Sequence, residues 1–259
     1  RGYRLENKIV IPSFEENNFK IISEPSQLKT KNGGPTTEVK KVAVIFFNFQ
    51  NDWREPYTPT QIREIVFTSP KSTKNYYKEI SYNKLTLEGA IDPINGDVFG
   101  WYTIPYDNAP CETGDWTSAA IQEAISDGFN MANYDQIIYA FPVISSCAWG
   151  GIASGIGGKG VTVKLYESDF VYLVIAHELG HNFGAIHAGS ISCIDNQGNP
   201  STLSNNCTLK EYGDPFDVMG SIDVKHMNSH RKRGLGFLNY SDIQEITQSG
   251  VYTLSAIEL

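Results

Sequence analysis

The hydrophobic residues of this chain follow two different periodicities. Residues 42–49 (VAVIFFNF) are nearly all apolar and β-prone, which is typical of a strand buried on both faces of a sheet. Further strands are predicted at residues 84–91, 99–106, 134–143 and 161–166. Helical spacing predicts helices at residues 60–68, 72–80 and 115–129, with Asp115 as the N-cap of the last. Strands that alternate with helices predict an α/β (α+β) fold in which a mixed sheet packs against helices.

The two ends of the chain depart from this pattern. Residues 1–38 contain two strand-like stretches but close in a turn-prone NGGP, so we interpret them as an N-terminal extension or a pro-segment remnant of a zymogen. No cysteine precedes the main domain, which excludes a thiol latch from this segment. The main domain is predicted to span residues 39–247. Residues 248–259 contain an alternating stretch that predicts a strand, a candidate start of a further C-terminal domain.

The charge and hydropathy of the chain argue against nucleic acids and membranes as binding partners. The chain has 21 Lys and Arg against 29 Asp and Glu, a net charge of −8. Such an acidic chain matches nucleic-acid phosphates and anionic lipids poorly, and we interpret its basic cluster at residues 225–233 as part of a solvated helix at 222–233. No apolar run reaches the ~18 residues that a membrane span requires. We expect no nucleic-acid partner, no membrane span and a monomeric protein.

The four cysteines indicate an oxidising compartment. Cys111, Cys147, Cys193 and Cys207 form no CxxC pair, which argues against a cysteine zinc site. An even number at long spacings favours two disulfides and a secreted, extracellular protein. Among the three pairings we favour Cys111–Cys147 and Cys193–Cys207, and the second would contribute on the order of 3 kcal/mol. Four free thiols in a cytosolic protein are the alternative.

The chemistry is concentrated in residues 170–187 (FVYLVIAHELGHNFGAIH). On a helix, His177 and His181 project from one face a single turn apart, so both imidazoles can bind one metal ion. Glu178 is rotated by about 100° from His177 and can hold a water molecule beside that metal. Gly184 can adopt a positive φ, end the helix and turn the chain, so that His187 becomes a third ligand. Three protein nitrogens and one open position are typical of a catalytic zinc site.

These residues resemble a known family. HELGHNFGAIH, from His177 to His187, is similar to the extended zinc motif of the metzincin metalloproteases. Residues 212–220 (YGDPFDVMG) resemble the Met-turn of that clan, with Met219 as its methionine. The sequence DPFDVMG at residues 214–220, together with CAWGG at residues 147–151, is most similar to the gametolysin family of secreted peptidases.

The resemblance implies a zinc-dependent endopeptidase that acts on protein or peptide substrates, with an active-site helix, a twisted mixed sheet and an irregular lobe after the Met-turn. It implies zinc ligation by the three histidines, Glu178 as general base and then acid, and Met219 as a hydrophobic floor. One departure concerns the position two residues after the methionine, where some metzincins carry a tyrosine and this chain has Ser221. Tyr212 is a candidate replacement, although we expect it to pack in the core.

Other features leave alternatives open. Asp92, Asn95 and Asp97 are a candidate calcium site, but a turn is favoured. The glycine-rich residues 150–160 are either the rim on which substrate lies or a plain loop, and Ile222 and Val224 suggest an apolar specificity pocket. A non-enzymatic adhesion module and a zinc hydrolase of a non-protein amide bond remain alternative functions. The intact Glu178 argues against the adhesion module, because a scaffold needs no general base.

Overall fold

The computed structural model describes residues 3–5, 8–11, 37–203, 206–220 and 226–253. Its strands are β1 (Tyr3–Leu5), β2 (Lys8–Ile11), β3 (Glu38–Phe49), β4 (Leu85–Glu88), β5 (Asp97–Ile104), β6 (Gln136–Pro142), β7 (Gly151–Ala153), β8 (Gly160–Leu165), β9 (Ser190–Cys193), β10 (Cys207–Lys210) and β11 (Gly250–Thr253). Its α-helices are α1 (Pro59–Arg63), α2 (Thr73–Ile80), α3 (Thr113–Ser126), α4 (Val171–Phe183) and α5 (Ser229–Gly234). A π-helical turn, Glu64–Thr68, continues α1.

The main sheet is built around β3, the long apolar strand. The strand order is β4–β3–β6–β8–β7, and β5 also pairs with β3, beyond the stretch that β4 occupies. All of these pairings are parallel except that of β7, which runs antiparallel to β8 at the end of the sheet. The mixed α/β fold predicted from the periodicities is thereby confirmed.

Both faces of β3 are covered from Val42 onward, which explains the nearly continuous apolar run at residues 42–49. Val42, Val44 and Phe46 are fully buried on the face that packs against α2 and α4. The alternate residues, among them Ile45 and Phe47, are fully buried on the opposite face against α3. Because successive strand residues point to opposite faces, each face of β3 supports a separate core, and α4 packs in only one of the two.

Helix starts differ from the sequence predictions at two places. Helix α3 begins two residues earlier than expected, with Glu112 at its N-cap, so the prediction of Asp115 as the N-cap is wrong. Asp115 instead lies in the first turn, where its charge favours the helix dipole. The described part of the predicted helix at 222–233 is helical only from Ser229, because the Asn228 side chain accepts the Arg231 N–H and caps the helix there.

The basic cluster is also less solvated than predicted. Arg231 has a side chain only 9% exposed, and Lys232 is fully buried with its amino group 4.8 Å from the centre of the Tyr82 ring. Both side chains turn inward from α5: Arg231 contacts Asp217 and His187, and Lys232 contacts Tyr82 in the turn after α2.

Two smaller sheets complete the described structure. Strand β11 pairs with β2, which pairs with β1, so the two segments outside the predicted main domain form one three-stranded sheet. The stretch between Gly184 and the Met-turn contains the hairpin β9–β10. None of the described helices is long and apolar enough to span a membrane.

The two disulfides are the pairs favoured from the sequence. Cys111–Cys147 joins the start of α3 to the loop that precedes β7, and Cys193–Cys207 links β9 directly to β10. Cys193–Cys207 closes a segment whose described side chains are mostly exposed, whereas Cys111–Cys147 closes one that contains core residues such as Trp116 and Phe141.

Candidate active site

Helix α4 carries the candidate active-site residues and is held from behind by α2. Eleven of its thirteen residues are buried, which matches its almost continuous apolar sequence. The Tyr77 hydroxyl donates to the carbonyl of Ala176 at 2.6 Å, and the Thr73 hydroxyl donates to that of Tyr172 at 3.1 Å. These buried bonds reach main-chain atoms of the helix and so fix its position against the sheet.

Gly184 ends α4 and reverses the chain. It has φ = 114°, a left-handed conformation that favours glycine, and the N–H of Ala185 donates to Gly180 O at 2.8 Å. The turn brings His187 back toward the helix. One ligand atom from each of His177, His181 and His187 lies within 4.8 Å of the others.

Each of the three imidazoles is oriented through its Nδ1 atom. The Nδ1 of His177 lies 2.8 Å from Val218 O and that of His181 lies 2.9 Å from Ala185 O. The Nδ1 of His187 lies 2.7 Å from a carboxylate oxygen of Glu211. Since all three partners are acceptors, each Nδ1 carries the proton and each Nε2 presents a lone pair.

This arrangement fits a divalent metal. The Nε2 atoms of His181 and His187 are 3.1 Å apart, and two unprotonated nitrogens that face each other cannot hydrogen-bond. A cation between them satisfies both. Three neutral imidazole nitrogens with hydrogen-bonded second nitrogens are the donor set of catalytic zinc sites.

Burial sets the protonation of the site. Burial lowers the pKa of His177 to about 4 and also lowers that of His181, so that the neutral, ligating form is favoured. Burial also raises the pKa of Glu178 to about 7. The Ala153 N–H, which donates a hydrogen bond to the carboxylate, lowers this pKa and so opposes part of the rise. Opposite shifts of neighbouring groups are typical of an active site.

Glu178 lies against the edge strand β7. A Cβ atom on Gly151 would be 2.7 Å from Glu178 Cγ and 2.9 Å from Oε1, so only glycine leaves room for this side chain. The glycine-rich stretch predicted as either rim or plain loop therefore contains a short strand in direct contact with the glutamate.

The predicted Met-turn lies beneath α4. Met219 is fully buried, and a Cβ on Gly180 would be 2.7 Å from its sulfur, which shows how closely the thioether approaches the helix between the two histidines. The fully buried Asp217 carboxylate accepts the N–H groups of Met219 at 2.7 Å and of Asn228 at 2.8 Å. Val218 N–H donates to His226 O at 2.8 Å. The turn is thereby fixed to the residues just before α5.

Tyr212 differs from its prediction. It is 48% exposed, so the expectation that it packs in the core is wrong, and its ring centre lies 4.0 Å from that of His187. Glu211 was missed, because no spacing rule links it to a histidine 24 residues earlier. Ser221, Ile222 and Val224 lie outside the described residues.

The weaker candidates do not join this site. Asp97 accepts the N–H groups of Ala90, Ile91 and Asp92, and Asp92 accepts those of Ile94 and Asn95. Because these carboxylate oxygens already accept main-chain N–H groups, the stretch is better described as a turn than as a calcium site. Among the described residues, the three histidines are the one group of this kind that could hold a metal, so His226 and His230 do not contribute to it.

A comparison of the sequence with known protein families identifies the family of this chain. The model of the gametolysin peptidase M11 family matches residues 41–240, more than half of the chain. The chain belongs to this family. The resemblance to gametolysin peptidases inferred from the sequence is thereby confirmed.

The solved structures to which this member of the gametolysin family is similar include three distant ones. Metalloproteinase-II from Bacteroides fragilis is 16% identical with a TM-score of 0.42, covering 80% of this chain and 54% of that one. Archaemetzincin from Methanopyrus kandleri is 13% identical with a TM-score of 0.38, covering 78% and 95%. A chaperone-substrate complex is 12% identical with a TM-score of 0.40, covering 75% and 29%. The chain thus spans only part of two of these three. A comparison with curated proteins gives no match.

Proposed function

We propose that this member of the gametolysin family is a secreted zinc endopeptidase of extracellular or host proteins, with residues 39–247 as its catalytic domain. The zinc ligands are His177, His181 and His187, and Glu178 is the general base. The observation that carries the proposal is the convergence of three Nε2 atoms beside a buried carboxylate at an open sheet edge. Secretion is supported by the two disulfides, which persist in oxidising compartments.

The histidines and Glu178 divide the chemistry between them. When bound, zinc supplies a Lewis acid that acidifies a water molecule and polarises a peptide carbonyl. Glu178 accepts a proton at its carboxylate and passes it to the leaving amine. The Ala153 N–H orients that carboxylate, and Met219 gives the histidines an apolar support from below.

Strand β7 is the proposed substrate-binding edge. Gly150 O accepts the N–H of Lys164 at 2.9 Å, and the Ser154 N–H donates to Gly160 O at 2.9 Å. Because bonded residues alternate in an antiparallel ladder, Gly151 and Ala153 direct their main-chain groups away from β8. The Ala153 N–H bonds to Glu178, which leaves the Gly151 N–H and the two carbonyl groups for a substrate. An extended peptide that pairs with this edge passes directly over Glu178.

We expect Gly151→Ala to lower kcat by about 10²-fold, because the added methyl group displaces the Glu178 carboxylate and a misplacement of about 1 Å has such an effect. Zinc content is expected to be unchanged. Steady-state kinetics and elemental analysis test this. Gly114→Ala in α3 is the matched control, since its Cβ meets nothing within 4 Å. Wild-type kcat in zinc-replete Gly151→Ala would contradict the proposed placement of the carboxylate.

The proposed function is tested by digestion of casein with and without a metal chelator. We expect cleavage by the zinc-loaded protein, its loss on chelation and its return on addition of Zn²⁺. Mass spectrometry of the products distinguishes internal cleavage from trimming of the ends. Zinc-replete protein that cleaves neither casein nor a peptide library would overturn the proposal and favour a binding module or a non-protein substrate.

A further inference from the structure

The hairpin β9–β10 connects the third histidine to a distant carboxylate. Its register pairs Cys193 with Cys207, which the disulfide joins, and Ser190 with Lys210. His187 lies three residues before the hairpin, and Glu211 is the first residue after it. The hairpin therefore brings Glu211 beside His187 although 24 residues separate them.

His187 differs from the other two histidines in how it is oriented. His177 and His181 lie on helix α4, and their Nδ1 atoms bond to main-chain carbonyls. His187 follows the helix on irregular chain, and its Nδ1 bonds to a side chain, the carboxylate of Glu211 at 2.7 Å. Further contacts on His187 are the Tyr212 ring and the Arg231 guanidinium, which donates to its carbonyl oxygen.

We propose that Glu211 is a positioning residue that orients the His187 imidazole toward the metal. The proposal rests on the proposed role of His187 as a zinc ligand. A carboxylate that accepts the second N–H of a ligating histidine fixes its tautomer and ring orientation and raises its basicity as a ligand. The contact matters most at His187, because no helix restrains this ring.

The exposure of Glu211 limits the expected effect. Its side chain is 70% exposed, so water competes for the same nitrogen. Loss of such an outer partner lowers metal affinity by about 10–100-fold, and we expect the lower end of this range.

The proposal is tested by zinc affinity, measured by competition with a chromophoric chelator, and by the visible absorption spectrum of the Co²⁺-substituted protein. We expect Glu211→Ala to bind Zn²⁺ about 10-fold more weakly and to shift the Co²⁺ bands, because the ring is no longer held. Glu211→Gln keeps an acceptor oxygen without the charge and should restore part of the affinity. Glu211→Asp is too short to reach Nδ1 and should resemble Glu211→Ala.

A matched control separates this role from a general effect of charge. Glu123→Gln removes an exposed carboxylate from α3, which covers the opposite face of the sheet, and should leave both measurements unchanged. Far-ultraviolet circular dichroism of the metal-free variants verifies that they fold alike. A purely structural role for Glu211 would change their thermal stability without moving the Co²⁺ bands.

The outcomes distinguish the two proposals. If wild type and His187→Ala bind Zn²⁺ equally, His187 is not a ligand and the proposed site fails, together with this inference. If zinc binding depends on His187 but Glu211→Ala matches wild type in affinity and spectrum, the site stands and the role of Glu211 is refuted. Zn²⁺ affinity that decreases from wild type through Glu211→Gln to Glu211→Ala supports the positioning role of Glu211.

Discussion

Glu178→Gln is expected to lower kcat/KM for a peptide substrate by about 10²–10⁴-fold, the usual contribution of a general base. The amide has nearly the same shape as the carboxylate and can accept the Ala153 N–H, so the fold around α4 is retained. It cannot take up a proton from water. Zinc content should remain that of wild type, because the three histidine nitrogens are untouched. Peptide hydrolysis assays and metal analysis on one preparation measure both quantities.

Two further variants sharpen this prediction. Glu123→Gln makes the same change on the far side of the sheet and should retain full activity. Glu178→Asp retains a carboxylate, but its shorter side chain places that carboxylate farther from strand β7. The activity of this variant should therefore also fall. Wild-type rates in zinc-replete Glu178→Gln would refute the assignment of this residue as the base.

His181→Ala is expected to weaken zinc binding by more than about 100-fold, since loss of a direct ligand exceeds the effect of an outer-shell partner. Proteolysis should disappear at stoichiometric zinc. Wild-type protein should also gain about 2.7 kcal/mol in its free energy of unfolding when free zinc reaches 100 times the dissociation constant, and the variant should gain much less. Thermal unfolding at increasing zinc concentrations measures this difference.

His230→Ala provides the control for His181→Ala. His230 is an exposed histidine on α5 that lies four residues from His226, the same spacing as in the zinc motif, but does not join the three-histidine group. Its loss should leave the zinc-dependent increase in melting temperature intact. An equal increase in His181→Ala would show that zinc binds elsewhere.

The central part of the candidate site was predictable because its geometry is local. The spacing of His177 and His181 defines one helical face, and the conformational freedom of glycine explains why the chain can reverse at Gly184. Strand β3 was predictable for a similar reason, since an unbroken apolar run requires burial on both faces. In each case a few consecutive residues contain the whole signal.

The remaining features depend on pairing between distant segments. Strand β7 has only three residues within a glycine-rich stretch, and its pairing with β8 decides that it is a strand. Glu211 approaches His187 only because the hairpin fixes the register between them. Tyr212 follows Glu211 out of the core for the same reason. Propensity and periodicity contain no information on such register, so sequence reasoning could not place these residues.

The two bonds that follow the Met-turn also bear on the metal centre. Val218 N–H donates to His226 O, and Asn228 N–H donates to the Asp217 carboxylate, so the turn is anchored to the residues just before α5. The carbonyl oxygen of the same Val218 lies 2.8 Å from Nδ1 of His177. A displacement of Val218 would therefore rotate the His177 imidazole, so the packing of residues that touch no metal is coupled to the strength of metal binding.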